Sequence, residues 1–144
     1  MKDFELVKFS LLPMGVSCTY RTEEEYDGVP FQQEFSVNDT RAAHEDLLTA
    51  AADLSNFLTN YLGTTTAFLE LKFSGSGERR AVVVKGKMKT ALGDTRVTLP
   101  KVRVITDDRE QAVDLYTCCE RLQEEVGLYL FEGKTGDLAA IDEL

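Results

Sequence analysis

Tryptophan is absent from this chain, histidine occurs once, and only three cysteines and three prolines punctuate its 144 residues. The one histidine, His44, is flanked by Glu45 and Asp46 and has neither a paired nucleophile nor a metal-ligand cluster near it in sequence, so acid–base chemistry lacks its usual participants. Three cysteines cannot pair fully within one chain, and no Cys-x-x-Cys is present. That argues against a disulfide framework or a zinc site and for reduced, mostly buried thiols. Cys118 and Cys119 adjoin no cation or base that would make them nucleophiles. No apolar run is long enough to span a bilayer, and Met1-Lys2-Asp3-Phe4-Glu5 lacks the basic and apolar parts of a secretion signal. A soluble protein of the reducing cytoplasm, with no membrane partner, is therefore expected.

Other absences narrow the chemistry further. Gly75-Ser76-Gly77 and Gly93-Asp94 join strands and do not lead into a helix, so they read as hairpin turns and not as phosphate-binding loops. The run Glu23-Glu24-Glu25 lacks the alternating Asp/Asn/Gly order of a calcium loop and reads as solvated charge. Neither an enzyme nor a bound cofactor nor a metal is expected.

What is present is an internal repeat. Val37-Asn38-Asp39-Thr40-Arg41 and Ile105-Thr106-Asp107-Asp108-Arg109 each open a helical segment, 68 residues apart. The helices then match at Asp46/Asp114, Leu47/Leu115, Thr49/Thr117, Leu54/Leu122, Tyr61/Tyr129 and Leu62/Leu130. At the same offset Val16, Cys18, Tyr20 and Thr22 fall on Val84, Gly86, Met88 and Thr90. Val7-Lys8-Phe9-Ser10 recurs as Leu71-Lys72-Phe73-Ser74 at an offset of 64, which places a four-residue insertion in the Gly75-Ser76-Gly77 turn. Shared periodicity alone does not reproduce polar matches such as Asp39/Asp107, and a diverged tandem duplication is the reading they support.

Alternating apolar residues predict strands over Phe4–Leu12, Val16–Glu23 and Val29–Val37, with Pro13-Met14-Gly15 as the first turn and Glu23 to Gly28 as a solvated second one. Asn38, Asp39 or Thr40 caps a helix whose apolar residues recur at spacings of three and four until Gly63. The second copy repeats the order: Thr66–Ser74, a hairpin of Glu78–Thr90 and Thr95–Thr106 around Leu92-Gly93-Asp94, and a helix entered through Asp107-x-x-Glu110 and ending near Gly133. The expectation is an α+β fold, a tandem βββα-βββα repeat forming an antiparallel sheet with two helices packed on one side and pseudo-twofold symmetry. One domain covers residues 1–135, in repeats of about 1–63 and 64–133, followed by a short acidic tail at 136–144.

The net charge of −9 is unevenly spread: residues 1–77 carry −7, residues 78–103 carry +6 and residues 104–144 carry −8. Lys85, Lys87 and Lys89 alternate with Val84, Gly86 and Met88, which sets three ammonium groups on one strand face roughly 7 Å apart. Arg79, Arg80 and Arg96 belong to the same hairpin, with Lys101 and Arg103 beyond Pro100. The outward face of the adjoining strand is expected to show Phe68, Glu70 and Lys72, and its counterpart Phe4, Leu6 and Lys8. A sheet face with ammonium groups to track phosphates and rings to stack bases fits single-stranded nucleic acid.

The plan of strand-rich repeats closed by a helix is similar to that of Whirly and Pur-alpha repeats, which have four strands per unit; the resemblance implies single-strand binding and is one of architecture. The expected function is non-enzymatic nucleic-acid binding through Lys72, Arg79, Arg80, Lys85, Lys87, Lys89, Arg96, Phe4 and Phe68. The alternative is a protein-interaction module, either a homo-oligomeric adaptor or an acidic inhibitor that mimics nucleic acid, whose partner meets the acidic surface or the C-terminal tail; a homo-oligomer is expected.

Overall fold

Alternation of buried and open side chains is the rule along the strands of the computed structural model, which describes residues 3–63, 67–75, 79–104 and 109–136. The elements are β1 (Glu5–Leu11), β2 (Val16–Tyr26), β3 (Val29–Asp39), α1 (Glu45–Tyr61), β4 (Ala67–Ser74), β5 (Ala81–Thr90), β6 (Gly93–Thr98), β7 (Val102–Arg103) and α2 (Arg109–Phe131). All ladders are antiparallel, and the open sheet has the order β3-β2-β1-β4-β5-β6, with β7 also on β5.

One face of this sheet is apolar. Val16, Cys18 and Tyr20 of β2, Leu6 and Phe9 of β1, Leu71 and Phe73 of β4, and Val82 and Val84 of β5 are all buried. All of these but Tyr20 join Leu47, Leu54 and Leu58 of α1 and Leu115, Leu122 and Val126 of α2 in a single core. Both helices therefore cover the same side, as the amphipathic spacing predicted, and the other face of the sheet is left to polar side chains.

Two hairpin tips differ from expectation. The Glu23-Glu24-Glu25 run does not form a turn. Strand β2 continues to Tyr26 and pairs with Val29, leaving only Asp27 and Gly28 to reverse the chain, both with positive φ (54° and 76°). Two left-handed residues match the twist of the flanking strands, so an Asp-Gly pair closes a tight hairpin and the glutamates stay in the ladder. In the second hairpin Thr90 pairs with Gly93, so the turn is Ala91-Leu92, one residue before the expected centre. The strand after it is not continuous to Thr106. It breaks after Thr98 and resumes as β7, because Pro100 has no N–H to donate to the ladder.

Helix α1 starts later than the candidates Asn38, Asp39 and Thr40 suggest. Its cap is His44, whose Nδ1 accepts the Asp46 amide at 3.0 Å. Asp39 is held in β3 and engaged by Arg41 (2.6 Å). Gly63, with φ 70°, follows the cap Leu62 and ends α1 where the sequence placed the end. The expected capping pair of α2 falls on Asp107, outside the described residues, as does the tail from Asp137 onward. Just before that tail, the Gly136 amide donates to the Ala42 carbonyl at 2.8 Å.

Strands β1 and β2 pair one rung further than β4 and β5, to Leu11↔Val16, but at the matching rung the separation along the chain is the same. Ser10 pairs with Ser17 and Ser74 with Ala81, so the Gly75-Ser76-Gly77 turn holds no four-residue insertion.

Candidate functional site

The polar face opposite the helices is shaped by where each strand puts its odd and even residues. On β5, Val82, Val84 and Gly86 point into the core and Lys85 and Lys87 point away from it. The ladders fix their neighbours: Glu70 on β4 and Thr98 on β6 flank Lys85, and Arg96 stands opposite Lys87. The Lys89 backbone occupies the rung of Asp94; its side chain lies outside what is described. On β4, Lys72 shares a rung with Lys8 of β1, where the two halves of the sheet meet. A strip of cations thus runs from the central seam at Lys8 and Lys72, diagonally to Lys85, and out to Lys87 and Arg96 at the β6 side. Lys8 is 3.6 Å from Glu70, an ion pair longer than a hydrogen bond. Among the described residues Lys72, Lys85, Lys87 and Arg96 form no ion pair.

Two sequence-predicted members lie elsewhere. Phe4 does not face outward: its ring packs edge-on against Tyr20 (5.7 Å) and Phe131 (5.5 Å) on the helix side. The cause is a β-bulge at Val7, where Leu6 pairs with Tyr20 but Lys8 with Thr19. One extra residue inverts the parity of everything before it, and Leu6 is buried accordingly. Gln123 of α2 then completes the displaced backbone, accepting the Leu6 amide (3.1 Å) and donating to the Phe4 carbonyl (2.8 Å). Arg80 is likewise withdrawn from the strip. Its guanidinium donates to Glu5 (2.8 Å) and the Leu6 carbonyl (2.8 Å) and lies 4.9 Å from the centre of the Phe73 ring, so it acts as a structural pin. Arg79 is exposed just before β5. The Phe68 backbone pairs with Gly86, and its side chain lies outside the described part.

Lys8 joins the strip because β1 and β4 are neighbours, which periodicity within either strand cannot show. The recurrence of Val7-Lys8-Phe9-Ser10 as Leu71-Lys72-Phe73-Ser74 was the available signal, and Lys8 and Lys72 share a rung.

At the other end of the sheet the β2–β3 hairpin is acidic. Glu23 shares a rung with Gln32, Arg21 with Glu34 and Glu25 with Pro30. Arg21 is bound to Glu5 at 2.7 Å, which removes the one cation there, whereas Glu23, Glu25 and Glu34 form no ion pair among the described residues.

Asp39, Arg41, Tyr129 and the buried thiols serve the fold. Arg41 grips Asp39 with two nitrogens (3.0 and 2.6 Å) and its guanidinium sits 5.1 Å from the Tyr129 ring centre, while the Tyr129 hydroxyl donates to the Arg41 carbonyl. These bonds hold the Asp39 carboxyl below its ordinary pKa. Burial pushes the Tyr129 phenol up to about 12, the Cys119 thiol to about 12 and the Cys18 thiol to about 11, so these thiols stay protonated and inert. Among the described residues no group of His, Cys, Asp and Glu side chains is arranged to hold a metal ion, and no helix is long and apolar enough to cross a membrane. No family model, no curated protein and no solved structure matches this chain.

Proposed function

We propose that this chain is a non-enzymatic nucleic-acid-binding protein that holds single strands along the cationic strip of its open sheet face. The observation that carries this reading is the rung on which Lys87 meets Arg96, neither of which forms an ion pair among the described residues. Like charges directly opposite one another on a sheet are destabilising, so such a rung is best explained by an anion that it receives. Lys85 and Lys72 extend it inward at spacings of about 7 Å, close to the interval between successive phosphates of an extended strand. Phe4 is not a stacking platform in this reading, so phosphate contacts supply the affinity and little sequence preference follows.

We further propose that the sheet arose by tandem duplication. Its support is a spacing of 64 residues shared by pairs in five ladders: Phe9↔Cys18 and Phe73↔Val82, Tyr26↔Val29 and Thr90↔Gly93, and the seam pair Lys8↔Lys72 itself. In this register Glu23 corresponds to Lys87, Glu25 to Lys89 and Gln32 to Arg96. One copy's hairpin became acidic and the other's basic, and only the second is the binding arm.

The test is fluorescence anisotropy of a labelled single-stranded oligonucleotide with the wild-type chain and with a Lys85→Glu/Lys87→Glu/Arg96→Glu variant of unchanged circular dichroism. Binding by the wild type that is lost in the folded variant supports the reading; no binding by the wild type at low salt, or equal binding by both, overturns it.

A further inference from the structure

The two outermost strands carry the information for a second interaction. Among the described residues strand β3 is paired only with β2 and strand β6 only with β5, so within them each presents one unpaired row of backbone N–H and C=O groups. Such edges template the addition of another strand unless they are blunted. Pro30 blunts the start of β3, which leaves Phe31–Val37 as the segment able to pair. The hairpins that hold these edges also expose apolar side chains at their tips: Tyr26 (76%) and Val29 (63%) on one, Leu92 (100%) on the other.

We infer that the protein assembles head to tail through its two sheet edges, β3 of one copy adding to β6 of the next, with the acidic hairpin set against the basic one. Three observations select this arrangement over its rivals. The first is charge. On the open face β3 offers Glu34 beside Glu23 and Glu25 of β2, and β6 offers Arg96 beside Lys85 and Lys87 of β5. A β3–β3 contact sets acid against acid, and a β6–β6 contact sets base against base; only the unlike edges are complementary.

The second is direction. Five antiparallel ladders separate β3 from β6, so the two edges run in opposite directions, and a copy added in the same orientation continues the antiparallel pattern without inversion. The third is the helix-side face of the same edges, where Phe31 is 40% exposed on β3 and Val97 is half-buried on β6. Pairing of the edges gives these side chains cross-strand neighbours and covers both. Because the contact joins two different surfaces, it propagates into open chains or rings and does not stop at a twofold dimer.

This inference goes beyond nucleic-acid binding and does not require it: backbone groups supply the hydrogen bonds of edge pairing, while Lys85, Lys87 and Arg96 supply the charge that selects the acidic edge as partner. The experiment is sedimentation velocity of the whole chain without nucleic acid, over a range of protein concentration, at about 50 mM and about 500 mM salt. Three proteins are compared: wild type, an acidic-arm reversal (Glu23→Lys/Glu25→Lys/Glu34→Lys) and a basic-arm reversal (Lys85→Glu/Lys87→Glu/Arg96→Glu).

The wild type is expected to form a concentration-dependent series of oligomers whose dissociation constant rises roughly tenfold or more at the higher salt. Each reversal alone is expected to sediment as a monomer, and an equimolar mixture of the two to associate again, because each then supplies the edge the other has lost. Recovery on mixing also establishes that both variants are folded. If either variant does not fold, hydrogen exchange of the wild type decides: protection of amides in 31–37 and 93–98 must increase with protein concentration. A wild type that stays monomeric at every concentration, association unchanged by either reversal, or no concentration-dependent protection of those amides overturns the inference. Because no nucleic acid is present, any of these results leaves the oligonucleotide reading to its own test.

Discussion

Lys8 and Lys72 face each other across the seam of the sheet, on the rung where β1 meets β4. Glu70, 3.6 Å from the Lys8 ammonium, offsets only part of their repulsion. A like-charged pair on a central rung costs about 0.2–1 kcal/mol. Lys72→Met is therefore expected to raise the urea midpoint slightly while weakening oligonucleotide binding. A fall in stability with unchanged binding would remove Lys72 from the site.

Arg80 and Lys87 are both cations near or on β5, yet they have opposite expected roles. Arg80→Met breaks the bonds to Glu5 and the Leu6 carbonyl and the stack on Phe73. The expected cost is about 1–3 kcal/mol in denaturant unfolding, with oligonucleotide affinity unchanged within roughly a factor of two. Lys87→Met should do the reverse: little change in stability and a clear loss of affinity.

Gly15 supports the first turn by close approach as well as by conformation. With φ at +104°, a Cβ added there would lie 1.8 Å from the Asp39 carbonyl oxygen. Gly15→Ala must move β3 away from β2 at the point where Asp39 and Arg41 join the sheet to α2. A loss of more than about 2 kcal/mol is expected by chemical denaturation.

Acid sensitivity should trace to Asp39. Hydrogen bonds from Arg41 hold its carboxyl below the ordinary value in the folded state. A depressed folded-state pKa stabilises the fold above the unfolded-state value of about 3.9 and loses that contribution as the pH falls through the folded value. The stability gap between wild type and Asp39→Asn is therefore expected to be full near neutrality and to close on acidification below about pH 4. A gap independent of pH would place the Asp39–Arg41 pair outside the stability balance.

Strand and helix identities were legible because period-two and period-three-to-four patterns are local; Val16-Cys18-Tyr20 and Leu47-Leu54-Leu58 are buried as their spacing required. The alternating lysines of β5 were legible for the same reason. What periodicity could not carry was parity across the bulge at Val7, which turned Phe4 inward. The same holds for strand neighbours far apart in sequence, such as β1 beside β4, which brought Lys8 into the strip. Arg80 was misplaced because its partner Glu5 is 75 residues away. Asp27-Gly28 carried a readable type I′ signal that the adjacent glutamates obscured.

The central claim, that Lys85, Lys87 and Arg96 contact nucleic-acid phosphates, is tested most directly by the salt dependence of binding. Log affinity for a single-stranded oligonucleotide falls linearly with log salt, with a slope of about −0.7 per phosphate neutralised. Measured by anisotropy, the slope for a Lys85→Gln/Lys87→Gln/Arg96→Gln variant should be shallower than that of the wild type by about 2, the sum for three lost contacts. Equal slopes for the two proteins would contradict the claim, since the strip would then be releasing no counterions.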